Sequence, residues 1–255
     1  MTPVQTGPGT GVREQRDARL TDAGSDVDAR GLVSRAMAEL HDTTEEYLET
    51  ILSIEEEGIV PMRARLVERL GLSAAAVSET VARLEEQGFV ELERDRSLRL
   101  TDKGRGLATT VVRRHRLAER LLIDVIGLEW EKVHAEAARW EHAISADVEQ
   151  KLVELLGDPA TCPHGNPIPG SRHAAPAHRT VALADVEPGP ITVARVSERL
   201  EMNNDAIALI AAARLMPGCD ATVVARDAES VTVKTETGEH HVPVPVADSL
   251  YVSSG

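Results

Sequence analysis

The stretch WEKVHAEAARWEH from Trp130 holds side chains of metal-binding type at helical spacing. Read as a helix, it sets His134, Ala138, Glu141 and His142 at i, i+4, i+7 and i+8, on one side. One helix upstream, His115 and Glu119 repeat the i, i+4 arrangement. Three imidazoles and two carboxylates on neighbouring helical faces suit a first-row divalent metal. A lone helical histidine is usually a packed or surface residue; these differ because each has a carboxylate at ligand spacing. Cys162-Pro163-His164 offers a C-x-H spacing, but no second ligand pair accompanies it at zinc-site spacing, so it reads as part of a tether. Trp130 and Trp140 read as helix-packing anchors, His240-His241 as surface, and Glu55-Glu56-Glu57 as the solvated end of a helix.

The elements that must carry these residues follow from periodicity and capping. Residues 1–36 show little apolar pattern and read as a disordered extension. Asp42-Thr43-Thr44-Glu45 caps an amphipathic helix through Tyr47, Leu48, Ile51, Leu52 and Ile54, ending at Gly58. A short helix from Ala64 to Leu70 ends at Gly71; Ser73 caps a third, which buries Val77, Val81 and Leu84. FVELE from Phe89 and LRL from Leu98 alternate as two strands about a polar turn. A long helix from Thr101 to about Ile126 precedes a second from about Glu129 to Leu156. Residues 158–190 hold seven prolines and read as a linker. From residue 191, short strands around one helix suit a small barrel-like β domain. The division is therefore 1–36, 37–104, 105–157, 158–190 and 191–255.

Composition narrows the function. Aromatic residues make up 2% of the 255, so the cores must be aliphatic. No apolar run of membrane-spanning length and no secretory leader pattern is evident, and the two cysteines suggest no disulfide framework; a cytoplasmic location is expected. The net charge of −14 argues against a nucleic-acid partner until its distribution is considered. Residues 1–58 carry −8 and residues 128–255 carry −9, whereas residues 59–127 carry +3. The cationic segment is also the one whose element order, helix, helix, turn, helix and ribbon, is that of a winged helix-turn-helix. Its third helix would present Ser73, Ala75, Ala76, Ser78, Glu79 and Arg83 to a major groove, with Glu79 able to accept from a cytosine amine. Arg63, Arg65, Arg94 and Arg96 flank it as phosphate clamps. A DNA reader followed by a metal face suggests a metal-sensing transcription factor.

Longer motifs join these pieces: DTTEEYL from Asp42, RARLVERL from Arg63, VSETVARL from Val77, RRHRLAERLL from Arg113, VHAEAARWEH from Val133 and GNPIPG from Gly165. Together they resemble the iron-dependent, diphtheria toxin repressor family, densely over residues 40–170 and more weakly over 190–255. The resemblance implies a mainly α protein: a winged helix-turn-helix, a helical dimerisation and metal-binding domain, and a C-terminal SH3-like β domain. It implies a homodimer that binds double-stranded operator DNA when loaded with Fe(II) or Mn(II), with two metal sites per subunit and neither a membrane partner nor a small-molecule substrate. Carried over by motif, the ancillary site falls on His115, Glu119 and His134, with Glu198 and Glu201 from VSERLE; Glu201 stands where the iron branch commonly has an amide.

The primary, activating site departs from the iron branch. Glu141 and His142 match, but the methionine and cysteine positions hold Glu46 and Ala138. The manganese branch also has an acid at the position of Glu46, and a second acid at that of Ala138, which this chain lacks. The site implied is Glu46, Glu141 and His142 with the Ala138 backbone carbonyl, richer in oxygen and harder, so that Mn(II) is expected to be sensed at least as well as Fe(II). Such a site would couple metal to the placing of the DNA domain. One alternative is a member whose primary site is degraded and which binds DNA without metal. A metalloenzyme is disfavoured because no HExxH, Ser/His/Asp set or phosphate loop occurs. A metal-trafficking adaptor is disfavoured by the basic 59–127 segment.

Overall fold

The computed structural model describes residues 42–173 and 180–254; the extension expected over residues 1–36 lies outside them. Helix α1 covers residues 42–56 and buries Tyr47, Leu48, Ile51, Leu52 and Ile54 along one stripe. It packs on α2 (Arg63–Leu70) and α3 (Ala74–Glu86) around Leu66, Val77, Val81 and Leu84. Gly71 turns left-handed (φ 65°) to end α2, and the Ser73 hydroxyl accepts from Ala76 N to begin α3, which makes the turn tight. Strands β1 (Val90–Leu92) and β2 (Leu98–Leu100) pair antiparallel with Val90 opposite Leu100, and their buried side chains close the same core. This is the winged helix-turn-helix.

Helix α4 (Asp102–Leu121) leaves the wing under a close backbone contact: a Cβ on Gly104 would lie 2.0 Å from Phe89 O. It continues through one π turn (Leu122–Ile126) to a left-handed Gly127. The single helix expected from Glu129 to Leu156 is instead broken. A 3-10 turn (Trp130–Lys132), α5 (Val133–Trp140), a second 3-10 turn (Glu141–Ala143) and α6 (Ala146–Leu156) replace it. The break falls where Ile144 is extended and the Ser145 hydroxyl caps α6 by accepting from Val148 N, a local bond that competes with helix continuation. Leu117, Leu122, Val133, Ala137, Ile144 and Leu152 form the helical core.

The segment expected to be a linker is largely packed structure. Ile168 joins the helical core, and Cys162, His164 and Asn166 are buried. The β domain starts before the boundary placed at residue 191, with β3 (Val181–Ala182) and β4 (Gly189–Val196), and Leu183 and Val186 enter its core. It continues through α7 (Glu198–Glu201), α8 (Asn204–Ala212), β5 (Asp220–Arg226), β6 (Ser230–Thr235), β7 (Gly238–Pro243), α9 (Val244–Ala247) and β8 (Leu250–Ser254). One six-stranded antiparallel SH3-like sheet results, in the order β3-β8-β4-β5-β6-β7. Among the described residues no helix is long and apolar enough to cross a membrane.

Polar contacts join the pieces. Glu55, Glu56 and Glu57, of which Glu56 is exposed, are each paired as well as partly solvated: Arg105 bonds Glu55 at 2.8 Å, buried Arg116 bonds Glu56 at 2.6 Å, and Arg69 holds Glu57 through both guanidinium nitrogens. The helix register brings an arginine to each acid, and the Arg69–Glu57 pair is largely buried on both sides. Trp130 packs against the β-domain core rather than the helical one, while Trp140 packs on the helices.

Candidate metal centre and DNA-facing surface

Two polar centres share His115, which α4 buries to 3% exposure. On one side, His115 Nε2 lies 3.2 Å from Glu119 Oε1 and 3.0 Å from His134 Nδ1. His134 Nδ1 lies 3.0 Å from Glu201 Oε2, which α7 delivers from the β domain. Ligands about 2.1 Å from one ion and at right angles to each other are about 3.0 Å apart, so this spacing fits a common cation. Glu119 Oε2 is buried with no hydrogen bond, and Asn166 Nδ2 fixes Glu201 by donating to Oε1 at 2.7 Å. Burial opposes charging of His134, but hydrogen bonds to Glu119 and Glu201 push its pKa up to about 10. Burial likewise opposes charge on His115, and Glu119 and Glu141 outweigh it and raise the imidazole well above its ordinary value. Burial would raise Glu119; His164 and His115 instead hold it well below the usual carboxylate range. Without an ion, protons occupy the place of the missing charge.

On the other side, His115 Nδ1 meets Glu141 Oε2. Beyond it opens a cavity of about 190 Å³ lined by Glu46, Glu49, Ala138, Glu141, His142 and Glu198, among others. Three domains meet there: α1 and α2, α4 and α5, and α7. Glu46 is exposed yet borders the cavity; partial desolvation raises its carboxyl, His142 lowers it and Glu141 raises it. Glu49 reaches deeper. Its Oε1 is buried with no hydrogen bond, and it lies with His115 and Glu141 in a set whose donor atoms are all within 4.8 Å. Burial, then the charges of Glu141 and Glu198, raise Glu49 well above the usual range. His142 bonds Glu45 Oε2 at 2.6 Å through Nδ1 and faces Glu141 Oε1 at 3.3 Å through Nε2.

The motif-derived residues are thus partly regrouped. His115, Glu119, His134 and Glu201 converge; Glu198 does not join them but lines the cavity, 3.5 Å from Arg116 Nη2. Glu46, Glu141, His142 and Ala138 border one cavity, and Ala138 brings no side-chain ligand to it. Glu45 and Glu49 were not expected there. Glu49 lies three residues after Glu46 on α1, a spacing that could have revealed it, whereas Glu45 reads as a capping residue. Cys162 and His164, read from the sequence as part of a tether, instead lie with Glu119, remote in sequence, in a set whose donor atoms are all within 4.8 Å.

On the side expected to face DNA, Ser73, Ala75, Ala76, Ser78 and Glu79 are all exposed at the start of α3, and the Ser78 hydroxyl donates to Ala74 O at 2.7 Å. Arg83 and Arg63 are half-buried, each with an Nε that has no hydrogen bond. Arg65 pairs with Glu68 at 3.1 Å. Arg94 and Arg96 are exposed at the wing tip, where Arg96 takes a left-handed φ of 70°.

Comparison with known proteins bears on both surfaces. Residues 39–98 match the iron dependent repressor N-terminal DNA binding domain, and residues 101–170 match the iron dependent repressor metal binding and dimerisation domain. The iron-dependent repressor IdeR of Mycobacterium tuberculosis is 45% identical over 219 residues, covering 82% of this chain and 95% of the relative. The diphtheria toxin repressor of Corynebacterium diphtheriae is 46% identical over 199 residues, covering 75% of this chain and 88% of the relative. A solved manganese-dependent transcriptional repressor in complex with manganese aligns with a TM-score of 0.72 at 32% identity, over 83% of this chain and 100% of that one.

Proposed function

Because the chain belongs to the iron-dependent repressor family, and so to a class of transcriptional repressors rather than enzymes, we propose that it binds operator DNA as a homodimer when two divalent-metal centres in each subunit are filled. One centre is His115, Glu119, His134 and Glu201; the other is Glu46, Glu49, Glu141 and His142, with the Ala138 carbonyl beside them. The observation that carries this reading is the buried, unbonded carboxylate oxygens of Glu119 and Glu49, each aimed among imidazoles and further acids. A buried carboxylate oxygen left unbonded is costly, and a cation is the partner this donor set suits.

A bound divalent cation would supply the positive charge that lets the acids of the second centre remain ionised together. Glu46 and Glu49 belong to α1 of the DNA domain, whereas Glu141 and His142 belong to the turn after α5. Donors from both sides, drawn together, fix the recognition helix relative to the dimer body. Coupling of this kind is worth about 1–3 kcal/mol, about 5- to 150-fold in operator affinity. Exposed apolar side chains of the helical domain, Val125, Ile126, Val148 and Leu155, offer surface for a second copy to cover. The donors of the second centre, Glu46, Glu49, Glu141 and His142, are carboxylates and one imidazole, an oxygen-rich set that favours Mn(II), while the Met202 thioether also lines the cavity.

Operator binding titrated with Fe(II) and Mn(II) at equal free metal tests the reading. Mn(II) is expected to activate at least as well as Fe(II), and activation by Fe(II) alone would sink the manganese assignment. Glu46→Ala should abolish the metal response while the protein stays folded and dimeric; an unchanged response would refute the coupling.

A further inference from the structure

Three arginines of α4 hold the strap of residues 158–172 that runs from the helical domain toward the β domain. Arg113 donates to Pro169 O, Arg116 to Pro167 O at 2.5 Å, and Arg120 Nε to Thr161 O at 2.8 Å. Arg113 and Arg116 are also matched by acids, Glu149 at 2.9 Å and Glu56 at 2.6 Å. Arg120 is not: its acid is Asp124, 43% exposed and 3.5 Å from Nη1. A second unmatched cation stands on β4. Strict alternation after the buried Val193 would turn Arg195 into the core. A bulge between Val193 and Arg195 shifts the phase, so Val196 is buried and Arg195 lies half-buried opposite Tyr251. The Arg195 guanidinium stacks on the Tyr251 ring at 4.2 Å and reaches Asn166 Oδ1 only at 3.4 Å. Among the described residues no acid pairs with it. The strap presses on this bulge: Gly165 is left-handed (φ 85°), and a Cβ there would lie 2.2 Å from Ala194 O.

Arg120 and Arg195 border one cavity of about 730 Å³ between the strap and the sheet, a volume typical of small-molecule sites. Pro163, Val193 and Pro217 give it apolar wall, and Ser253 brings a hydroxyl. Among its described lining residues Glu56 is the one acid, and Arg116 already neutralises it. The cavity is therefore cationic in a chain of net charge −14. We propose that it binds an organic anion of metabolite size, whose carboxylate or phosphoryl groups are taken by Arg120 and Arg195. A guanidinium fork matches either group with paired hydrogen bonds, and stacking on Tyr251 leaves the in-plane donors of Arg195 free to make them. Bound there, the anion touches α4, the strap and β4 at once and fastens the β domain to the helices. The site uses no donor of either proposed metal centre, so it stands or falls apart from them.

Calorimetric titration of the metal-free full chain with succinate, phosphoglycolate and inorganic phosphate tests this. Both organic anions should bind more tightly than inorganic phosphate, and the tighter of the two tells whether the site favours carboxylate or phosphoryl groups. Arg120→Gln and Arg195→Gln should each weaken binding by about tenfold or more, as expected for a lost hydrogen bond to a charged group. Arg96→Gln, at the wing tip, should bind as the wild type does. Circular dichroism establishes that each variant is folded, and Arg195→Ala serves as a second variant if the glutamine form is not. No binding of either organic anion at millimolar concentration would overturn the proposal, as would binding that survives both cavity variants. Loss in Arg96→Gln would place the anion on the winged helix instead. Binding of inorganic phosphate alone would mark an adventitious ion only, and the proposal would fall with it.

Discussion

At the residue scale, Glu49 and His134 show what the proposed metal centres would cost the protein without metal. Glu49 is an acid among acids, raised by burial and by Glu141 and Glu198. Glu49→Gln should therefore stabilise the metal-free protein while weakening metal binding. For a chain of this size each kcal/mol gained would raise Tm by about 2–4 °C, readable by calorimetry beside a metal titration. His134 gives a pH signature. Its pKa is raised from the ordinary value of about 6.5 to about 10 in the folded chain, so protonation favours folding. That stabilisation is fully present below about pH 6.5 and is lost as pH rises through about 10. Chelated protein should melt at a lower temperature at pH 9 than at pH 6.5, and metal affinity should rise over the same window as ion replaces proton. A Tm that does not change over that range would contradict the assignment.

At the element scale, the wing and α3 form the side expected to face DNA. Arg94 and Arg96 extend from a short ribbon whose other cation, Arg99, is already neutralised by Glu91 and by Glu93 at 3.0 Å. Arg96→Ala should weaken operator binding about equally across sequences and reduce the salt slope by about 1. A change in sequence preference instead would place Arg96 on a base edge. Where the chain departs from a regular helix, between Trp140 and Ala146, the departure serves the site: the 3-10 turn carries Glu141 and His142 toward α1, and Ser145 starts α6 afresh.

At the scale of the whole molecule, Arg116 is the cation on which the domains converge. It is 2% exposed, donates to Glu56 of α1 and to Pro167 O of the strap, and lies 3.5 Å from Glu198 of α7. Removing one partner of a buried ion pair strands the rest, at a cost of about 3–5 kcal/mol. Arg116→Met should lower the denaturation midpoint accordingly, and should loosen the β domain from the metal centre. Chemical denaturation combined with hydrogen exchange of α7 measures both effects; native-like protection there would show that Glu201 docks without Arg116.

The sequence by itself determined the winged helix, the long α4, the small β domain and the pairing of His115 with Glu119, because capping residues, apolar period and i, i+4 spacing are local signals. Its motifs also pointed to the family. The grouping of ligands was decided only in the folded chain, because it depends on which side chains meet across domains. Glu198 sits three residues before Glu201 on one helical turn, yet the turn sends Glu201 to His134 and Glu198 to Arg116. Glu55, Glu56 and Glu57 look like a solvated run until three arginines from α2 and α4 reach them. Cys162 and His164 look like loop residues until the strap folds them onto Glu119. Distances between such remote partners are set by packing, which no spacing along the chain encodes.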